Sequence, residues 1–432
     1  MTIGSEIHSW VTDLFPLCRS ITGDGIRESL RYLQRILPEM KIHGVSSGTR
    51  VFDWTVPLEW NIKDAFIANE GGERVVDLSQ NNLHVVNYSE PIDEWMTFEE
   101  LDRNLHSLPD QPDAVPYVTS YYRRRWGFCL THRLRDQLRQ EPFRRYHVKI
   151  DTTLESGELI YGELILPGST SREILLSTYL CHPSMANDNL SGPCVQAAVA
   201  RWLRDFVPDR RMTYRILFLA ETIGPLAYLK RHLETLQENL VAGFVLACIG
   251  DDRRYSFVAS RSGNTTADRV VRHILRHDHP DHDEYSFVDR GSDERQYCSP
   301  GVDLPVCTLM RSKFETFPEY HTSKDDLAFV TPSGLEGGYR LVRECLGLIE
   351  ELGPYRCRTI GEPHLSTRGL YPDFGLRDSW TKVRTMMNLL AYSDGHHDLI
   401  DIADLLEIDA RELVVVARDL VDHGVLELDL PS

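Results

Sequence analysis

The sequence predicts an α/β protein: a mixed sheet sandwiched by helices, with an inserted small β-rich domain and a C-terminal winged-helix domain. Three observations carry that expectation. From Tyr146 to Leu352 short apolar runs alternate with amphipathic stretches of helical period, the order from which covered sheets are built. Between Pro57 and Val118 the alternation stops, and short strand-like pieces are punctuated by Gly-Gly, Asn-Asn and proline. After Gly361 three short helical patterns and a last apolar run follow the order of a helix-turn-helix with a wing.

Taken in order, residues 5–14 and 25–36 predict amphipathic helices joined by the turn Arg19-Ser20-Ile21-Thr22-Gly23. Residues 40–54 alternate as strands do. The insertion holds strand-like pieces at 64–68, 74–77 and 83–87. Residues 148–152 and 159–166 predict a hairpin pair around Glu155-Ser156-Gly157. The run ILLSTYL at 174–180 predicts a strand buried on both faces, and Pro183 stops its ladder, leaving His182 at the C-terminal edge. Asn187-Asp188-Asn189 is a polar turn, and Ser191-Gly192 opens a helix carrying Cys194, Val195, Ala198, Val199 and Trp202. Strands follow at 215–219, 243–249 and 305–309, with a second hairpin strand at 255–260. Helices are predicted at 223–236, 266–276 and 332–352. Past a loop through Gly375, residues 379–391, 400–406 and 410–423 predict helices and 425–428 a strand. The expected domains are 1–56 with 119–365, the insertion 57–118, and the winged helix 366–432.

Composition excludes several classes. At 432 residues the chain is too long for one ordinary core. No apolar run reaches membrane-spanning length, and MTIGSEIHSWVTDLF lacks the basic-then-apolar order of a signal peptide. Nine cysteines without CxxC pairs predict reduced, mostly buried thiols and a cytoplasmic home. A net charge of −18 opposes broad electrostatic binding to nucleic acid or anionic lipid.

Four strand ends could carry chemistry. His182 and Asp188, six positions apart, can share one metal ion, or they can be a surface histidine and a capped turn. Glu221 in Ala220-Glu221-Thr222-Ile223-Gly224 is a general base aimed at metal-bound water, or a carboxylate favoured by a helix N-terminus. Asp251 in Gly250-Asp251-Asp252 is a ligand or part of a plain turn. His321 lies in the polar loop 318–326, where a histidine is often only solvated. Joint placement favours the chemical reading. All four lie on the same side of one predicted sheet, where open α/β sheets bind ligands.

The stretches CHPSMANDNLSG at 181–192, ETIGPLAYL at 221–229, GDDRRYSF at 250–257, GSDERQYCSPGVDLP at 291–305, EYHTSKDD at 319–326 and EPHLSTRGLYP at 362–372 together resemble the zinc aminopeptidase-like exopeptidases of clan MH. The closer resemblance is to a bacterial subgroup with an inserted β domain and a C-terminal winged helix, whose members often sit in polysaccharide or natural-product biosynthesis clusters. It implies a zinc-exopeptidase (phosphorylase/hydrolase-like) fold. By position, His182 and His321 resemble histidine ligands and Asp188 the aspartate that bridges two zinc ions, with a cis bond to Asn189. Asp251 falls near a later aspartate ligand, and Glu221 at the general base. Asp293, Arg295 and Tyr320 fall where relatives line the substrate pocket. Many dinuclear relatives have Glu-Glu at the base motif, whereas Thr222 stands at the second place here, and a hydroxyl is a poorer zinc ligand. One zinc ion is therefore expected, with Asp251 completing the ligand set or orienting it from outside.

Other features have plainer readings. Arg123-Arg124-Arg125-Trp126 is a solvated face or an anion-recognising rim over the site. The His277–Asp283 cluster reads as a solvated loop. The helix at 410–423 sets Arg411, Arg418 and His423 against Glu412, Asp419 and Asp422, a poor balance for phosphate contact, so packing or a homo-oligomer is favoured over DNA. The expected function is a metal-dependent aminopeptidase or amidohydrolase cleaving an amide in a small peptide or an aminoacyl or N-acyl metabolite. The alternatives are a biosynthetic deacylase and a non-catalytic scaffold or winged-helix regulator.

Overall fold

The computed structural model describes residues 2–370 and 377–428; the predicted loop through Gly375, with Tyr371 and Pro372 at the end of the 362–372 stretch, lies outside them. The chain divides into two compact units, residues 1–267 with 283–340, and residues 268–282 with 341–432.

The first unit is organised by an eight-stranded mixed sheet. Its spatial order is Lys41–Ser46, Glu158–Leu166, Thr213–Leu219, Glu173–Tyr179, Leu240–Leu246, Val306–Met310, Ser256–Val258 and Asp283–Tyr285. The four strands from Thr213–Leu219 to Val306–Met310 run parallel, and the strands beside them join antiparallel. Every residue of Glu173–Tyr179 is buried, as a strand covered on both faces requires. The helix Gly192–Phe206 packs on it, with Ile3–Leu14 and Asp24–Ile36 against that helix. Ile174, Leu175 and Leu176 are wholly buried, each contributing about 1.5–3 kcal/mol relative to exposure.

From Glu173–Tyr179 the chain passes to Thr213–Leu219 on one side and then returns to Leu240–Leu246 on the other. The connections part at the C-terminal end of the central strand and leave a crevice there, the usual ligand position in open sheets. Gly192 lets the following helix start close to that edge, since a Cβ there would lie 2.4 Å from the Leu246 carbonyl oxygen.

Two predicted pairings are corrected. Arg145–Glu155 and Glu158–Leu166 follow one another but do not form a hairpin. The first joins a four-stranded sheet in the order Arg74–Asp77, Glu59–Asn69, Arg145–Glu155, Ile92–Thr97, while the second enters the large sheet. Arg145–Glu155 alternates buried with half-buried residues and packs one face on a core including Ile67, Phe98 and Phe128. Leu159, Ile160 and Tyr161 are buried in succession and need a strand on either side. The turn Glu155-Ser156-Gly157 hands the chain from one sheet to the other. Likewise Ser256–Val258 pairs with Val306–Met310 and Asp283–Tyr285, not with a sequential hairpin partner. The helix His132–Arg139 was not anticipated.

In the second unit the strands Asp394–Asp398, Pro354–Cys357 and Leu426–Leu428 form an antiparallel sheet beside the helices Arg377–Tyr392, Leu399–Leu406 and Ala410–Asp422. Asp398 and Asp409 cap the last two helices through side-chain acceptance of backbone N–H groups. Pro354–Cys357 carries little strand signal in the sequence, being four residues long and opening on proline, which is tolerated at a strand's first position. Arg411 is paired with Asp278, Asp409 and Glu344, and Arg418 with Glu351.

Candidate metal centre

His182 leaves the C-terminal end of the central strand, and its ring lies between those of Tyr117 and Tyr179, with centroids 5.0 and 5.1 Å away. The His182 carbonyl accepts a 2.9 Å hydrogen bond from Nε of Arg19, a wholly buried residue of the first interhelical turn. Burial pushes the His182 imidazole down to about 4, leaving it neutral near pH 7 with a lone pair to offer.

The polar turn after it is held from three sides. The side chains of Asn187, Asn189 and Ser191 accept the backbone N–H groups of Gly250, Cys248 and Ile249, which fastens the turn to the end of Leu240–Leu246. Asp325 accepts the backbone N–H groups of Asn187 and Asp188 at 2.6 and 2.8 Å. The Asp188–Asn189 peptide bond is cis. With the backbone thus occupied, the Asp188 carboxylate points into the crevice, where its Oδ1 accepts from the Tyr179 hydroxyl at 2.5 Å.

His321 arrives from the long loop after Val306–Met310, in a left-handed conformation at φ 54°, with its ring stacked on Tyr320 at 3.9 Å. Its Nε2 lies 2.9 Å from Asp188 Oδ2. The two atoms are nevertheless unpartnered, because their alignment is not that of a hydrogen bond. A buried carboxylate oxygen and an imidazole nitrogen at this distance but off hydrogen-bond alignment leave room for a cation that both could ligate. Ligand atoms of His182, Asp188 and His321 all fall within 4.8 Å of one another, a set of two imidazoles and one carboxylate suited to a metal. Cys181, His182 and Glu221 form a second such group, but burial holds the Cys181 thiol well above its ordinary pKa, and its sulfur accepts the Glu221 N–H at 3.3 Å. The first set fits a metal better.

Burial raises the Asp188 carboxyl, but facing His182 and His321 outweigh it and hold the group at about 2. The two shifts predict the acid behaviour of metal-free protein. Below its ordinary value of 6.5 an unfolded His182 gains a proton that the folded chain refuses until about pH 4, so stability rises with pH across that window. Stability contributed by Asp188 is present above 3.8 and is lost toward pH 2. Chelator-treated protein is expected to lose up to about 3 kcal/mol from His182 between pH 6.5 and 4. Melting temperatures of wild type and His182→Gln should converge as pH falls through that window; parallel curves would exclude the assignment.

Glu221 follows Thr213–Leu219 and stands 3.8 Å from His182 Nε2. Burial raises its pKa well above the ordinary range, with the charges of Asp293 and Asp188 adding to the effect and Arg295 opposing it. Thr222, at φ 66°, is in a conformation that β-branched residues rarely adopt. It is fixed there by Asp293, whose Oδ1 accepts the Thr222 N–H at 2.8 Å, and by Arg295, which donates to the Thr222 hydroxyl. Arg295 Nη2 also lies 3.8 Å from Glu221. The position after Glu221 thus carries a hydroxyl held by a guanidinium.

Of the residues singled out from sequence, His182, Asp188, His321, Glu221, Asp293, Arg295 and Tyr320 are brought together. Asp251 does not join the His182–Asp188–His321 group, which accords with the second of its two expected places, orienting the set from outside. It is buried and accepts from the Asn187 side chain, the Arg253 and Ser312 N–H groups and the Ser312 hydroxyl, which saturates its carboxylate. It braces the turn from outside. Asp325, Tyr117, Tyr179 and Arg19 were missed. Asp325 is four residues after His321 within a stretch already marked, but the other three carry no signal in local spacing.

Residues 8–352 match the family described as a domain of unknown function (DUF4910), and residues 354–428 match a winged helix-turn-helix family. The chain belongs to the DUF4910 family. A Clostridium acetobutylicum relative provisionally named a polysaccharide biosynthesis protein with aminopeptidase-like domain is 41% identical to the chain, covering 98% of it and 96% of the relative. A crystal structure of a provisionally assigned peptidase from Clostridium acetobutylicum superposes with TM-score 0.91 at 40% identity, covering 99% of this chain and 96% of that one. The zinc aminopeptidase BSAP from Bacillus subtilis gives TM-score 0.58 at 13% identity over 80% of this chain and 94% of that one. A peptidase M28 precursor from Shewanella amazonensis gives 0.56 at 11%, over 81% and 93%. The DUF4910 portion thus has the aminopeptidase fold. Among the described residues no helix is long and apolar enough to cross a membrane.

Proposed function

We propose that the protein is a zinc-dependent hydrolase of the aminopeptidase type, cleaving an amide bond in a small peptide or an aminoacyl or N-acyl metabolite. The observation that carries this reading is the pair of unpartnered atoms, Asp188 Oδ2 and His321 Nε2, 2.9 Å apart beside His182. These three residues would hold one zinc ion. Bound there, zinc would polarise the scissile carbonyl and lower the pKa of a water molecule. Glu221, 3.8 Å from His182 Nε2, would take a proton from that water and return it to the leaving amine. Asp293 and Arg295 fix Thr222 and the base beside it, and the partly exposed Arg295 would meet the substrate. Tyr320 stacks on His321 and restrains its ring. Thr222 and Arg295 at the second ligand place support one metal ion over two.

The relative named for polysaccharide biosynthesis favours a second reading of the same site, a deacylase acting on a biosynthetic intermediate. Zinc content measured beside hydrolysis of a panel of aminoacyl and N-acyl amides tests both. One zinc per chain with turnover supports the hydrolase, and the preferred amide class separates peptidase from deacylase. Stoichiometric zinc without turnover across the panel would favour a scaffold, and absence of zinc binding would sink the proposal.

We assign the C-terminal domain to packing, because Arg411 and Arg418 are committed to carboxylates. Duplex DNA in a low-salt mobility-shift assay is expected to migrate unretarded; retention lost on adding salt would restore the regulator reading. Nine free cysteines, most of them buried, support a cytoplasmic location.

A further inference from the structure

The arginine run at 123–125 is not used by the hydrolytic residues, yet it borders a cavity of about 190 Å³ in the first unit. On the same measure one water needs only about 10–15 Å³, so the space takes a ligand of many heavy atoms, a sugar-sized ring included. Tyr88, Tyr121 and Tyr122 contribute aromatic walls, and Glu90, Arg123 and Arg124 the polar ones. The Tyr88 hydroxyl donates to the Leu58 carbonyl and the Tyr121 hydroxyl is paired with that of Tyr117 at 2.6 Å, so these two walls are held by their polar ends. At the mouth, Tyr122 is 53% exposed, and Trp54 meets its ring edge-on at 5.2 Å.

The charges are unequal. Arg124 is paired with Glu90 at 3.0 Å, and Arg125 donates to the Thr119 carbonyl at 2.7 Å. Arg123 meets no carboxylate among the described residues. The cavity is also close to the metal-ligand set. Tyr121 reaches Tyr117, whose ring centroid lies 5.0 Å from His182 and 5.1 Å from His321. Two aromatic rings separate the two places.

We propose that this cavity is a subsite for the non-reacting part of the substrate, and that this part is a sugar ring bearing an anionic group. Aromatic faces pack on the C–H faces of a sugar, Glu90 accepts hydroxyl protons, and Arg123 meets a carboxylate or phosphate. Glu90 gives its Oε1 to Arg124 and keeps Oε2 for a hydroxyl, which a plain aromatic acid would not offer, and a neutral sugar would leave Arg123 unmatched. Calling the occupant a substrate rests on the hydrolase reading; the subsite itself does not.

Isothermal titration of the full chain with glucuronic acid, glucose 1-phosphate, glucose and inorganic phosphate tests it, before and after chelator treatment so that neither zinc nor turnover is needed. The expected result is saturable binding of glucuronic acid or glucose 1-phosphate that survives chelation, at least ten-fold tighter than glucose or phosphate alone. Whichever of the two binds tells a carboxylate from a phosphate. Arg123→Ala and Tyr122→Ala, both exposed positions with little effect on folding expected, should each weaken that binding ten-fold or more. Four outcomes would overturn the proposal: binding by none of the probes, binding lost on chelation, phosphate as tight as the sugar phosphate, or Arg123→Ala without effect. Inactivity on the amide panel with binding intact would remove the hydrolase reading and leave the subsite standing.

Discussion

Glu221→Gln is expected to leave zinc content unchanged while lowering hydrolysis by about 10²–10⁴-fold, the usual contribution of a general base. Glutamine keeps the shape of the side chain beside His182 but cannot accept the water proton. The measurement is zinc per chain by mass spectrometry together with turnover on the preferred amide. It also decides between the two possible ligand groups. If Glu221 with Cys181 and His182 held the ion, the variant would lose zinc along with activity. Near-normal turnover would remove Glu221 from the mechanism altogether.

Asp188→Asn should have the opposite signature. Its Oδ2 lies 2.9 Å from His321 Nε2, off hydrogen-bond alignment, and as the third proposed ligand its loss would leave two imidazoles to hold the ion. We expect zinc affinity to fall by more than about 100-fold, beyond the 10–100-fold typical of outer-shell partners, with activity falling in parallel. Asparagine can still accept from the Tyr179 hydroxyl, and the backbone contacts to Asp325 are unaffected, so the fold should be retained. Competition with a zinc-binding dye measures the affinity, and circular dichroism checks the fold. Wild-type affinity in this variant would refute the ligand set.

Much of the sheet was legible because its strands are short runs of Ile, Leu and Val with few alternatives. Residues 174–180 had to be covered on both faces, and the buried run in the structure is Glu173–Tyr179. The error over 148–152 and 159–166 has a physical source. Alternation reports that one face of a strand is wet, not which sheet it joins, and consecutive strands two residues apart look like a hairpin either way. Sequence leaves Asp251 either completing the ligand set or orienting it from outside, for a related reason. Its position past a strand end was visible, but the four donors that saturate it come from residues 187, 253 and 312.

Local chemistry settled which residues stand at strand ends, because proline, glycine and polar turns interrupt apolar runs wherever they occur, and those interruptions put His182, Asp188, Glu221 and His321 outside the strands. What each of those groups faces was decided by tertiary structure alone. Asp188 meets His321 across 133 positions of chain, Arg19 reaches the His182 carbonyl across 163, and Tyr117 comes from far upstream to pack beside both histidines. Such contacts leave no period or spacing in the sequence, since they are made by the return of the chain over one sheet edge and not by neighbours along it.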